Sequence, residues 1–261
     1  VTNMGVPINS GYDDFSFFIN DESKIGYFSS NRPEGKGQDD IYRFESYKCT
    51  QFIKGQAFDK KTNELLISTL IELIDKSGKV IETTITEADG TYFFEVACDT
   101  EYVLRGAKKD YKDDLKKVKT TNIRKKEIVQ NLYLMPLIID DEIVINPIFF
   151  DFDKSNIRTD AAFELENIVT VLRNHPKMQI KIEAHTDSRG VDAYNEILSD
   201  KRAKSTRDYI LSRNIDASRI KSAVGFGEKQ LVNKCANNVP CTEEEHQENR
   251  RSKFMILNDY K

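Results

Sequence analysis

The chain has 261 residues, enough for two ordinary domains and part of a third. Hydrophobic residues make up 39% and charged residues 31%, and a formal charge of -4 excludes a general electrostatic attraction to nucleic acid or anionic lipid. No apolar run approaches the roughly 18 residues that span a bilayer, and no charged start followed by an apolar core marks a signal peptide. VTNMGV opens in mid-pattern, so the chain reads as a piece of a longer, exported protein whose targeting signal lies upstream.

Residues 11–46 are predicted to form hairpins. Phe15, Phe17 and Ile19 alternate, Asn20 to Ser23 turn the chain, Ile25, Tyr27 and Ser29 alternate again, and Gly35 and Gly37 supply a loop. The stretch FFINDESKIGYFSSNRPEGKGQDDIYRF resembles one blade of the TolB-like or WD-like propeller repeat. A blade buries its faces against neighbouring blades, so a single copy implies that residues 1–47 are the remnant of an upstream array. The acids clustered there, Asp13, Asp14, Asp39 and Asp40, read as solvated turn residues rather than cation ligands.

Residues 48–136 read as a small all-β sandwich. Turn signals at Lys60 to Asn63, Lys76 to Gly78 and Asp89-Gly90 separate short apolar segments, and Tyr92, Phe94 and Val96 alternate inward. GQAFDKKTNELLISTLIELIDKSGKVIETTITEADGTYFFEV is similar to the carboxypeptidase-regulatory-like family of immunoglobulin-type modules. The resemblance implies a tight turn at Asp89 and Gly90 leading into a core strand, and a spacer or interaction role. The charged residues 108–126 read as an exposed face. Cysteines are four, without a CxxC pair, and an even count suits two disulfides: Cys235 with Cys241, and Cys49 with Cys98, which flank predicted strands. Four buried thiols are the alternative; bridges imply an oxidising compartment such as the periplasm.

Residues 137–145, with Asp140, Asp141 and Glu142 between Pro136 and Pro147, read as a linker into a last domain at 146–261. There the period changes. A strand is predicted at 148–152, then a helix capped by Thr159 or Asp160 with Leu165, Ile168, Val169 and Leu172 on one face and Pro176 beyond its end. Met178, Ile180, Ile182 and Ala184 share one face of the next strand, with Lys181 and Glu183 on the other. A turn at 185–190 leads into a helix where Asn195, Ser199 and Arg202 rise at i, i+4 and i+7, while Leu198, Thr206, Tyr209 and Ile210 form a core-facing stripe. Strands at 219–225 and 251–257 complete an α/β sandwich, with helices on one face of a mixed four-stranded sheet. On this reading Asp187 and Arg202 face one pocket.

IFFDFDKSNIR, IEAHTDSRGVDAYNEILSDKRAKSTRDYI, VGFGEKQLV and ENRRSKFMI together resemble the OmpA C-terminal domain shared with Pal and MotB-type proteins. The resemblance covers about residues 145–258. It implies non-covalent binding of peptidoglycan through the diaminopimelate residue of the stem peptide: Asp187 would meet the ammonium and Arg202 the carboxylate. Thr186, Asn195, Asp153 and Arg250 fall on the family's other contact positions, and Ala184 stands where the family often has glycine. The chemistry is consistent, because a zwitterionic end is best held by one fixed negative and one fixed positive group, and arginine's planar fork grips a carboxylate through two hydrogen bonds. The bland alternative is a structural salt bridge between Asp187 and Arg202, and for Arg250 an arginine that merely covers the sheet.

Other chemistries fit less well. DFDKSN begins like a calcium loop, but Asn156 stands at its sixth position and Ala162 at its twelfth. His185 and Asp187 lack a nucleophile elbow, and His185, His246, Cys235 and Cys241 lack metal-ligand spacing. The chain is therefore read as a non-enzymatic tether without a cofactor, on the periplasmic side of the outer membrane, joining an outer-membrane assembly to the cell wall. A protein-protein scaffold of a secretion or adhesion complex, with the last domain only structural, is the competing reading. Its upstream domains would contact outer-membrane or secretion-complex proteins.

Overall fold

The computed structural model describes residues 3–150 and 154–260, which fall into two contact units. One comprises residues 1–52, 95–100 and 119–128; the other comprises 53–94, 101–118 and 129–261. Among the described residues no helix is long and apolar enough to cross a membrane.

In the first unit, β1 (Asp14–Ile19), β2 (Ile25–Ser30) and β3 (Asp40–Glu45) form an antiparallel sheet. The simple alternation expected for β1 is interrupted: its register to β2 shifts between Phe15 and Phe18, and Ser16 takes φ 57°. Phe17 stacks on Phe44 at 5.3 Å. The Asn20 turn forms because its side-chain oxygen accepts the Glu22 and Ser23 amides at 3.0 and 2.9 Å. Two of the clustered acids have protein partners on the sheet and its loop: Asp14 pairs with Arg32 at 2.7 Å, and Asp40 accepts the Gly37 amide at 2.9 Å. Cys49 and Cys98 are bridged.

The all-β region contains β4 (Thr50–Asp59), β5 (Leu70–Asp75), β6 (Val80–Ile85), β7 (Thr91–Ala97), β8 (Glu101–Ala107), β9 (Tyr111–Lys112), β10 (Asp114–Lys119), β11 (Glu127–Val129) and β12 (Leu132–Pro136). One sheet runs β10-β8-β5-β6 and another β11-β4-β12-β9, with β7 also paired to β4. Ile53, Ile71, Leu73, Phe94, Leu104, Leu132 and Leu134 are buried at period two along their strands. The Asp89-Gly90 turn is closed by Asp89 accepting the Thr91 hydroxyl at 2.6 Å, while Gly90 takes φ +70°, a conformation open to glycine.

The C-terminal part carries β13 (Ile138–Ile139), β14 (Glu142–Ile143), α1 (Thr159–Asn174), β15 (Ile180–Ala184), α2 (Asp192–Ser212), β16 (Ile220–Gly225), α3 (Glu243–Asn249) and β17 (Ser252–Ile256). Its mixed sheet has five strands, ordered β13-β14-β17-β15-β16, rather than the four expected. The additional strands come from the segment read as a linker: Ile138 and Ile143 pair in a hairpin whose second strand joins β17, because Leu137 and Ile143 are apolar enough to enter the core. Residues 148–150 are not a strand, and the rest of that predicted element lies outside the described residues.

The core lies on one sheet face. Ile180 and Ile182 pair with Ile256 and Phe254, and their shared side meets Leu165, Ile168, Val169 and Leu172 of α1. Lys181 and Glu183 occupy the opposite side, as the alternation predicts. α1 begins after Arg158 and has no side-chain cap; Thr159 and Asp160 are already inside it. In α2 the polar and core stripes prove to be one stripe: Asn195, Ser199, Arg202, Ala203, Thr206 and Ile210 are buried, whereas Leu198 and Tyr209 are only partly so. The helix buries polar groups near β15's C-terminal end and apolar groups over the core. It approaches β16 closely because Gly225 has no side chain: a Cβ there would collide with the Asp200 backbone nitrogen and Ser199 Oγ.

Candidate functional site

The chain leaves β15 at Ala184 and turns through residues 185–190. The turn is anchored at its root by the His185 amide donating to the Arg251 carbonyl and the Thr186 amide to the Gly227 carbonyl, each at 2.9 Å. From α2, the Asn195 amide nitrogen donates to the Asp187 and Arg189 carbonyls at 3.3 and 3.2 Å and to Glu228 Oε2 at 2.6 Å. Ser199 Oγ accepts the Gly227 amide at 2.9 Å. Asn195 and Ser199 thus fix the turn and the loop after β16 to the same helix.

Asp187 sits at the centre. Its Oδ1 accepts the Arg189 amide at 3.0 Å, its Oδ2 accepts Arg189 Nη2 at 2.8 Å, and Oδ2 also takes Arg250 Nη1. Glu243, the first residue of α3, closes the circuit by accepting Arg189 Nη1 at 2.8 Å and Arg250 Nη2 at 2.5 Å. Gln247 also receives Arg250. Burial pushes the Asp187 carboxyl up, but the hydrogen bonds from Arg189 and Arg250 outweigh it and hold the group below the usual carboxylate range. The same two arginines lower Glu243. Two carboxylates and two guanidiniums make the cluster formally neutral.

Arg202 reaches the site from α2, donating through Nε to the Lys154 carbonyl at 3.2 Å, with its guanidinium 4.8 Å from the Phe150 ring centre. A cleft of about 660 Å³ is lined by Thr186, Asp187, Asn195, Arg202 and Arg250, together with Arg158, Arg189, Tyr194 and Glu243. The structure therefore brings five of the six expected binding residues into one cleft; Asp153 lies outside the described residues. Arg250, rather than covering the sheet, bonds to Asp187. Thr186 Oγ1 is buried and has no hydrogen-bond partner among the described residues.

Four residues of this network were not anticipated. Arg189 stands two positions after Asp187, a spacing that lets one turn supply both charges. Glu243 and Gln247 belong to α3, whose start is legible in Thr242 and Glu245: the Thr242 hydroxyl accepts the Glu245 amide and Glu245 returns to the Thr242 amide, a capping box. Glu228 gave no signal, since its role depends on where the loop after β16 returns.

His185 does not join Asp187 in a relay. Its ring stacks on Phe226 at 5.6 Å, both ring nitrogens lack hydrogen-bond partners among the described residues, Glu183 lies 3.8 Å from Nε2, and burial aided by Arg251 and Lys253 outweighs that carboxylate and lowers its pKa to about 4. Cys235 and Cys241 are bridged, so their sulfurs are bonded to each other.

The chain is 37% identical over 84 residues to an outer membrane porin F of Pseudomonas aeruginosa, an alignment spanning 32% of this chain and 24% of the porin. It is 37% identical over 94 residues to a peptidoglycan-associated lipoprotein of Rhizobium meliloti, covering 36% of this chain and 52% of the lipoprotein. These curated relatives are thus matched over about half their length or less. Among solved structures, the peptidoglycan-associated lipoprotein from Burkholderia pseudomallei aligns at 26% identity and a TM-score of 0.37, over 42% of this chain and 88% of that one. Residues 149–245 match the OmpA family.

Proposed function

We propose that the C-terminal domain binds peptidoglycan without covalent chemistry, holding the diaminopimelate residue of the stem peptide, and so tethers an outer-membrane-associated assembly to the wall from the periplasmic side. The observation that carries this reading is the convergence on one cleft of Asp187, Arg202 and the Thr186 hydroxyl, which has no hydrogen-bond partner among the described residues. Arg202 lines this cleft, and its planar guanidinium suits the carboxylate of the diaminopimelate residue. Asp187 accepts three hydrogen bonds from the protein, leaving about one lone-pair site on Oδ1 for an ammonium. Asn195 acts by holding the turn, because its amide nitrogen is already engaged by three oxygens.

The test is sedimentation with purified diaminopimelate-type peptidoglycan. Asp187→Ala combined with Arg202→Ala removes charge-assisted hydrogen bonds of roughly 1.5–3 kcal/mol each and is expected to abolish co-sedimentation. Binding equal to the parent's would refute the site. For the upstream part, Phe15, Phe18, Tyr27 and Ile41 are exposed on the three-stranded sheet, and this apolar surface favours protein contacts there.

A further inference from the structure

We propose that the Cys235–Cys241 bridge is a positioning element of the Asp187 site: it locks a short loop whose two ends hold the ligand-facing turn and the start of α3. The inference rests on the ligand-binding reading above and extends it to residues outside the cleft. The bridge spans a sequence separation of 6, against 49 for Cys49–Cys98. Restriction of the unfolded chain grows with the loop closed, so the short bridge contributes less to global stability than the long one. Its effect is local shape.

Two routes lead from the bridge to Asp187. At the first cysteine, the buried Cys235 carbonyl accepts the Ser188 hydroxyl at 2.7 Å, and Ser188 is the residue directly after Asp187. Inside the loop, Asn237 donates to Glu228 Oε1 at 2.7 Å while Glu228 Oε2 accepts Asn195 at 2.6 Å, the same Asn195 that holds the Asp187 and Arg189 carbonyls. At the second cysteine, Cys241 is followed at once by Thr242, the N-cap of α3, and then by Glu243, which grips Arg189 and Arg250. One ring therefore fixes the backbone of the turn from behind and the carboxylate that orients both arginines from the front. The intervening sequence ANNVP forms no helix or strand, so without the bridge the loop relies on side-chain hydrogen bonds for its shape.

The experiment uses the full chain with Cys49 and Cys98 intact. Cys235→Ser with Cys241→Ser removes the bridge; Ser188→Ala keeps the bridge and cuts one contact. Probes are meso-diaminopimelate by titration calorimetry and purified peptidoglycan by sedimentation, and the Asp187 carboxyl is followed separately by carbon NMR against pH. Both variants are expected to bind at least about tenfold more weakly, as supporting contacts around a site typically do when lost. Without the bridge, the Asp187 midpoint should rise toward the ordinary carboxylate value. The Ser188→Ala effect should shrink in the bridge-free background, since the two changes break one path. A folded bridge-free variant with parental affinity and midpoint would overturn the proposal; if that variant fails to fold, a parental Ser188→Ala overturns it. If the parent itself binds neither probe, the ligand reading fails, while an unshifted Asp187 midpoint still decides against positioning.

Discussion

Replacing Asp187 with Asn keeps the side chain's shape, one acceptor oxygen and the bond to the Arg189 amide, but removes the charge and puts an NH2 donor where Oδ2 accepts from Arg189 and Arg250. The Asp187 side chain is 8% exposed, Arg250 23% and Arg189 52%, so the two ion pairs are not equivalent. The half-exposed Arg189 pair belongs with surface pairs of about 0–1 kcal/mol. The Arg250 pair, drier on both sides, falls among hydrogen bonds to charged groups of about 1.5–3 kcal/mol. The sum predicts a loss of about 1.5–4 kcal/mol at pH 7, or roughly 3–16 °C in the transition that contains this domain, read by calorimetry of the full chain. The pH dependence follows from linkage. Asp187 is held below its unfolded value, so its contribution is complete above the unfolded pKa near 3.9 and fades as pH falls through the lower folded value. The gap between parent and Asp187→Asn should therefore be constant from about pH 5 to 7 and close below about pH 4. No gap at pH 7, or a gap undiminished at pH 2, would show that the arginines do not hold this carboxylate.

Two further predictions concern the supports of the site. His185 has a depressed pKa of about 4, so the folded state stays unprotonated while the unfolded state takes a proton near 6.5. Stability should fall as pH drops from about 6.5 to 4, by at most about 1.4 kcal/mol per pH unit, and the His185 ring resonances should titrate near 4; a midpoint near 6.5 contradicts its burial. Gly225→Ala forces a methyl group onto the Asp200 backbone and Ser199 Oγ, so α2 must retreat. About 1–3 kcal/mol of stability and much of the peptidoglycan co-sedimentation should be lost together, and unchanged melting with unchanged binding would show that the contact is not as close as described.

Period-two alternation in IKIEA and the register of buried leucines and isoleucines in α1 are strong local signals, and both elements lie where these patterns put them. The hairpin of Ile138–Ile139 and Glu142–Ile143 was hidden for a physical reason. Two-residue strands are too short to show a period, and the acids Asp140 and Asp141 at their turn look the same in a linker as in a hairpin. α2 departs from its sequence pattern in a different way. The pattern suggests a polar face and a separate apolar face, yet at 3.6 residues per turn Asn195, Ser199, Arg202, Thr206 and Ile210 lie on one buried line. Burial of polar side chains is invisible to a hydrophobic pattern. It becomes possible here because Gly225 removes the atoms that would have kept the helix away.

The same reason governs the site. A charge on a turn and a charge on the following helix suggest a pair, and Asp187 with Arg202 was the pair that spacing offered. Asp187 is instead bonded to Arg189 beside it and to Arg250 at the far end of the chain, and Glu243 balances both. Distant partners of this kind are selected by where α3 returns after the bridged loop, which no local spacing encodes. On the proposed ligand reading, Asp187 is held in place by protein cations, so an incoming ammonium would meet a carboxylate whose orientation is set before binding. Its affinity would then depend on Arg189, Glu243 and Arg250 keeping that orientation as much as on Asp187 itself.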